Sequence, residues 1–208
     1  MWVCLVVASG FLICTLLDQR LYVMIADLEW DRSENRDWEQ AFRLAGFVPM
    51  WVAIGLGLLW ARSGDAGCGC VARGRPLTQR ALAWSVPLAA LLSGVLAEIC
   101  KGIFLRHRPS VENGGGYVFD WIDETGGGPG IGFASSHTAV AFGAAFLLWR
   151  YHRGVGVLAL VIAAGCGAVR LLAGAHFVTD VYAAVILAWF GSGVVWRIAR
   201  VCGTPTPG

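Results

Sequence analysis

The chain has 208 residues, 57% of them hydrophobic and only 14% charged, with a formal net charge of +2. Soluble domains carry about 25% charged residues, and here the apolar residues come in long uncharged blocks near the roughly 20 residues that cross a bilayer. An ordinary soluble domain is therefore excluded, the small positive balance gives no reason to expect a nucleic-acid partner, and an integral membrane protein is expected.

Met1 to Leu17 is apolar and lacks a basic flank or a small-residue cleavage site, so it reads as a retained span and not a cleaved signal. Residues 18 to 43 follow, dense in charge and punctuated by Trp30 and Trp38. That pattern fits a helix resting on the lipid interface or a solvated connector. A second span is expected from about Leu44 to Ala61, then a loop from Arg62 to Arg80 carrying Arg73, Arg75 and Cys68-Gly-Cys70. A lone C-x-C in a Gly-rich loop is a weak metal signal. These two and Cys4, Cys14, Cys100, Cys166 and Cys202 show no paired framework and are read as free thiols.

The third span runs from Ala81 to about Ile103. Residues 110 to 132 form a loop with two tracts, Gly114-Gly115-Gly116 and Gly126-Gly127-Gly128-Pro129-Gly130, suited to a lid or to the approach of an anion. The fourth span covers about Phe133 to Trp149, the fifth Gly154 to Leu172 and the sixth Phe177 to Trp196. The expectation is one all-α domain over residues 1–208, a polytopic bundle of six transmembrane helices without internal repeats.

Cytoplasmic loops carry an excess of Lys and Arg. With the N-terminus inside, cytoplasmic segments hold Arg62, Arg73, Arg75, Arg80, Arg150, Arg153, Arg197 and Arg200 against one acid, Asp65. The opposite side holds eleven acids, together with Arg20, Arg32, Arg36 and Arg43. Both termini are then cytoplasmic.

Three polar clusters land on the outer side under that orientation. The first is Lys101-Gly-Ile-Phe-Leu-Arg-His-Arg108-Pro109, whose Lys101 is the chain's single lysine. The second is Ala134-Ser135-Ser136-His137, and the third joins Arg170, His176 and Asp180. Taken singly, a cation at a span end snorkels to the interface and a histidine there packs. Read together they suggest a site that grips and attacks a phosphate. His176 and Asp180, four apart, share a helical face, so the carboxylate can hold one ring nitrogen and leave the other as an oriented nucleophile; a purely structural His–Asp bond is the plainer reading. Ser135 is an N-cap candidate at a helix start that can receive an anion, and His137 can protonate a departing alkoxide. Lys101 and Arg108, seven apart, read as two turns of one helical face, fraying before Pro109. With Arg170 they can neutralise a phosphate. Glu98 either holds Lys101 or snorkels. Arg106 and His107 match no role.

The strings Lys101-x6-Arg108-Pro109, Ala134-Ser135-Ser136-His137 and Arg170-x5-His176-x3-Asp180 resemble the three motifs of the type 2 phosphatidic acid phosphatase (PAP2) superfamily, in order and with internal spacings intact over about eighty residues. The departures are Ala134 and Ser136 where the family usually has Pro and Gly, and Val169 where it has Ser. The resemblance implies that His176 attacks phosphorus to form a phosphohistidine, Asp180 orients it, and His137 protonates the leaving oxygen and then activates water. It further implies that Lys101, Arg108, Ser135, the Ser136 amide and Arg170 bind the phosphoryl oxygens, with no metal or other cofactor. The expected protein is a lipid phosphate or diphosphate phosphatase of the plasma (inner) membrane, working on its outer face on lipids such as undecaprenyl diphosphate, phosphatidylglycerol phosphate, phosphatidate or lipid A phosphates. A phosphotransferase, a vanadate-dependent haloperoxidase and a non-catalytic lipid-binding relative are the rivals, and oligomeric state is not legible.

Overall fold

The computed structural model describes residues 2–27, 37–60, 79–111, 114–119 and 130–202, and its described residues form seven helices. These are α1 (Trp2–Asp27), α2 (Asp37–Leu44), α3 (Val48–Trp60), α4 (Gln79–Phe104), α5 (Ser136–Tyr151), α6 (Arg153–Leu172) and α7 (Val178–Cys202). The expected loop with Arg73, Arg75, Cys68 and Cys70, Trp30, and the second glycine tract up to Pro129 lie outside the described residues.

α5 is the axis of the bundle. It packs against α4, α6 and α7, while α3 lies on α4, α2 on α6 and α1 along α7. Ten of its residues are buried, among them Ala139, Ala141, Ala144, Ala145 and Gly143. Small side chains are what permit such close approach, because in lipid the association of helices rests on packing and not on expelling water. Ser93 of α4 is the meeting point. A methyl group at Gly143 would come within 2.4 Å of its hydroxyl, and one at Gly191 of α7 within 2.9 Å.

Pro87 inside α4 has no N–H to give the carbonyl of Ala83, one turn earlier. Gly55 of α3 closes over that carbonyl, where a Cβ would stand 2.4 Å from the Ala83 oxygen. The proline defect and the glycine opposite it thus seat α3 on α4. At the far end of α5, His152 both ends that helix and starts α6, its Nδ1 accepting the Val155 N–H at 3.3 Å.

Four helices, α1, α4, α6 and α7, are long and apolar enough to cross a membrane, and α2 with α3, bent by 68°, would make a fifth span. α5, with 16 residues, is shorter than the roughly 20 that span a bilayer. The charge-dense stretch 18–43 is not one element. Its first ten residues extend α1, and its end forms the amphipathic α2, with Asp37 and Glu39 in the first turn and Arg43 in the last. That α1 continues past Leu17 follows from its partners: Asp18 and Tyr22 are buried on the bundle side, whereas most of the helix is exposed.

Candidate active site

α4 stops at Phe104, after which Leu105 takes a left-handed φ of 48° and closes the last helical bond to Lys101 O at 2.9 Å. Lys101 and Arg108 therefore do not share a helical face. Residues 106–108 run extended between two neighbouring segments: His107 N–H donates to Val118 O at 2.8 Å, Arg108 N–H to Gly130 O at 2.9 Å, and Gly132 N–H to Arg106 O at 2.7 Å. Alternate residues of an extended segment point the same way, so Arg106 and Arg108 emerge on one side and His107 on the other.

Arg106, without a role by sequence, is central. Its Nη2 donates to Asp180 Oδ1 and, at 2.8 Å, to Thr179 Oγ1, and its guanidinium lies 4.7, 4.8 and 5.2 Å from the ring centres of Tyr117, Phe133 and Phe177. Asp180 is fully buried and accepts the Phe177 N–H at 2.8 Å on Oδ2, the oxygen that faces His176 Nδ1 at 3.4 Å. That last contact is a close polar approach without the alignment of a full hydrogen bond. His176 lies just ahead of α7, with Asp180 in the first turn. Burial holds the His176 imidazole below its ordinary 6.5; Asp180 draws it back up, and Arg170 and Arg108 push it down again. The neutral ring, with Nδ1 toward a carboxylate, leaves Nε2 as the free nitrogen.

The second cluster is tied to the third through the backbone, since Ser135 N–H donates to Asp180 O at 3.1 Å. Ser135 occupies the N-cap position of α5, but its hydroxyl caps nothing and instead accepts from Thr138 Oγ1 at 3.0 Å. The Ser136 hydroxyl sits between Lys101 Nζ and Glu98 Oε1, and Lys101 also pairs with Glu98 at 2.8 Å. Of the two readings of Glu98, it is the lysine's partner. His137 is half-buried, its ring edge-on to Phe47 with centres 5.0 Å apart, and it lies in electrostatic range of Arg170, His176, Arg43 and Lys101. Arg108 and Arg170 each keep a buried Nε–H with no hydrogen-bond partner among the described residues, and they repel one another. Arg43, an exposed residue of α2 that its own stretch of sequence did not single out, adds a fourth cation in range of Arg170 and His137.

His137, His176, Arg108, Arg170 and Lys101 thus stand around one region, with Ser135 and Ser136 at its edge. The acids nearest it are spoken for: Asp180 by Arg106, Phe177 and His176, and Glu98 by Lys101 and Ser136. Cations with unmade hydrogen bonds beside a neutral, oriented imidazole suit a multiply charged oxyanion.

A curated relative, the bacitracin transport permease protein BcrC of Bacillus licheniformis, is 25% identical over 146 residues, 69% of this chain and 63% of its own length. The chain therefore spans somewhat under two thirds of that relative. Among solved structures, a transmembrane PAP2-type phosphatidylglycerolphosphate phosphatase from Bacillus subtilis superposes with a TM-score of 0.60 at 18% identity, covering 97% of this chain and 98% of the other. LpxE of Aquifex aeolicus gives 0.51 at 18% identity, covering 87% and 95%. Both similarities establish the fold. The family model described as the PAP2 superfamily matches residues 82–203, well over half of the sequence, and the chain belongs to that superfamily.

Proposed function

We propose that this protein is a single-domain membrane phosphatase that hydrolyses a lipid phosphate monoester or diphosphate through a phosphohistidine. The observation that carries the reading is the buried His176–Asp180 pair set beside Arg108 and Arg170, whose Nε–H groups lack partners among the described residues. In the proposed reaction Nε2 of His176 attacks phosphorus and the bond from phosphorus to the lipid-side oxygen breaks. His137 gives that oxygen its proton. Neutral again as a base, His137 takes a proton from water, which attacks the phosphohistidine, releases phosphate and returns the imidazole of His176. Lys101, Arg108, Ser135, the Ser136 amide and Arg170 hold the equatorial oxygens, where charge accumulates in the transition state. No step calls for a metal.

The same reading supplies the topology. α5 would be the fourth crossing in chain order and bring the number to six, its 16 residues preceded by the extended segments 106–108 and 130–132. The excess of arginine at the opposite end supports cytoplasmic termini and a site on the outer face of the plasma membrane. Lipid substrates are favoured by the exposed apolar faces of α3 and α4, through which a tail can lie in the bilayer while its headgroup meets the site. The phosphatidylglycerolphosphate named for the Bacillus subtilis structure is one member of that substrate class.

The test is purified protein in detergent micelles, with phosphate release measured from phosphatidate, phosphatidylglycerol phosphate, undecaprenyl diphosphate and lipid A phosphates, in the presence of a chelator. Release from at least one lipid is expected, together with none from His176→Ala and an acid-labile, base-stable phosphoenzyme on the parent protein. Normal turnover by His176→Ala refutes the nucleophile, and transfer of label to an added alcohol in preference to water would make the protein a phosphotransferase.

A further inference from the structure

α1 is the least buried of the four long apolar helices, and it carries a carboxylate where a lipid-facing helix should have none. Asp18 is 1% exposed, whereas its neighbours Leu16 and Leu17 are 68% and 40% exposed. Burying a charge in such surroundings is costly unless it is paired and hydrogen-bonded. Asp18 meets that condition across a sequence separation of 161 residues: Oδ1 accepts the backbone N–H of Thr179 at 3.0 Å, and Oδ2 accepts the Thr179 hydroxyl. Oδ2 also accepts the Tyr117 hydroxyl at 2.7 Å, and burial together with the Asp18 charge pushes that phenol up to about 12. Thr179 lies in the first turn of α7, where N–H groups have no helical acceptor. Asp18 thus caps α7 from another helix and sets a negative charge at its positive end.

What makes this more than a docking contact is where the chain of bonds leads. Arg106 Nη2 bonds both the Thr179 hydroxyl and Asp180, and Asp180 faces His176. Thr179 and Asp180 are adjacent, so the cap that fixes one fixes the backbone of the other. We infer that Asp18 is a positioning residue for the histidine nucleophile, acting through Thr179 and Arg106 on Asp180, and that α1 belongs to the active-site machinery. This rests on the phosphohistidine reading for its consequence in turnover, though not for its consequence at the His176 ring.

The direction of the effect follows from the charges. Asp18 offsets part of the Arg106 charge. Without it, Arg106 is drawn more fully to Asp180, which then supports a proton on His176 less well. The groups in electrostatic range of that ring are Asp180 on α7, Arg108 on the extended segment, Arg170 on α6 and His137 on α5, with Arg106 behind Asp180, and removing a negative charge behind them lowers the ring's proton affinity further.

The experiment uses Asp18→Asn, which keeps size and one acceptor, and Thr179→Val, which keeps the backbone N–H but loses the bridging hydroxyl. The full-length protein, labelled with 15N-histidine in micelles, is titrated by NMR, with His176 assigned from the His176→Ala spectrum. In both variants the His176 titration should move to lower pH and its Nδ1–H tautomer should lose dominance. In turnover, kcat should fall about ten- to a hundredfold with KM held, as for a nucleophile misplaced by under about 1 Å. Should Asp18→Asn not fold, Thr179→Val reads the same coupling. An unmoved His176 titration in the variants that fold overturns the proposal, and Asp18 is then only a helix anchor. If the parent protein releases no phosphate from any lipid, the functional reading fails while the NMR result still decides this one.

Discussion

The elbow between α2 and α3 offers a way to disturb His137 without touching it. Gly46 is buried in that turn, and its φ lies outside the left-handed range, so alanine suits the backbone there. The added methyl would stand 2.7 Å from His137 Cβ, 2.9 Å from Cδ2 and 3.0 Å from Cα. Carbon atoms pack at about 3.5–4.0 Å, so the closest approach falls about 0.8 Å short. The start of α5 cannot recede freely, since Ser135 is bonded to Asp180 O at 3.1 Å and is fully buried. Either the elbow lifts, at about 1–3 kcal/mol of stability for an overpacked site, or His137 is displaced by several tenths of an ångström. If His137 transfers the proton as proposed, a displacement below about 1 Å costs roughly ten- to a hundredfold in rate. Gly46→Ala should therefore lower kcat for phosphate release by about that factor while the protein stays folded. Thermal unfolding in the same micelles measures the stability change. Gly57→Ala is the control: it lies on α3, where a methyl group meets nothing within 4 Å, and it should leave kcat unchanged. A folded Gly46→Ala protein with kcat within twofold of the parent refutes the idea that the elbow sets His137.

Two further outcomes follow from the proposed chemistry. His137→Asn should slow hydrolysis of the intermediate more than its formation from a substrate with a good leaving group, so phosphoenzyme should accumulate in a rapid-quench experiment; a level no higher than in the parent counts against His137 as the base. In the pH profile, His176 must be neutral to attack, and burial with Arg170 and Arg108 holds it below 6.5. Activity should therefore be retained on descending through 6.5 and fall only at lower pH, and an acid limb at or above 6.5 would contradict the burial argument.

Much of the grouping at the candidate site was legible because its polar residues are concentrated. A chain with so few charges cannot place Lys101, Arg108, Arg170, His137, His176 and Asp180 near span ends without calling for an explanation, and the His176–Asp180 spacing survives although His176 precedes the helix. Helical periodicity failed between Phe104 and Pro109. Leu105 turns the chain into an extended segment, and in period two it is Arg106, not Lys101, that shares a side with Arg108. An arginine pair spaced by one residue before a proline could have signalled this. Asp18 was hidden differently. It opens a run of charges that reads as solvated surface, and its partner Thr179 lies 161 residues away, a distance no local pattern bridges. Ser135 shows a third limit, since its N-cap position is local and readable whereas the preference of its hydroxyl for Thr138 depends on packing.

The placement of Arg106 resolves a conflict built into any such site. In the proposed reaction a buried carboxylate orients the imidazole and bare guanidinium groups hold phosphate, yet Asp180, Arg108 and Arg170 all lie in electrostatic range of His176, and opposite charges attract strongly where water is scarce. On that reading, an Asp180 without a partner of its own would compete with the substrate for Arg108 or Arg170. Arg106 prevents this by occupying Oδ1 of Asp180 while the Phe177 N–H occupies Oδ2, its own charge spread over the Tyr117, Phe133 and Phe177 rings. Among the described residues the Nε–H groups of Arg108 and Arg170 have no partner, and neither does that of Arg106. Arg106→Gln should then do two things at once. It should weaken the orientation of His176 and lower kcat, and it should free Asp180 to capture Arg108, raising KM for the lipid phosphate and the inhibition constant for inorganic phosphate. Loss of one charge-assisted contact is worth about 1.5–3 kcal/mol, or roughly ten- to a hundredfold in that constant. The phosphate constant is the decisive reading, because it involves no chemistry at His176. A variant with lowered kcat and an unchanged phosphate constant would leave Arg106 as support for Asp180 alone and sink the argument that it guards the other arginines.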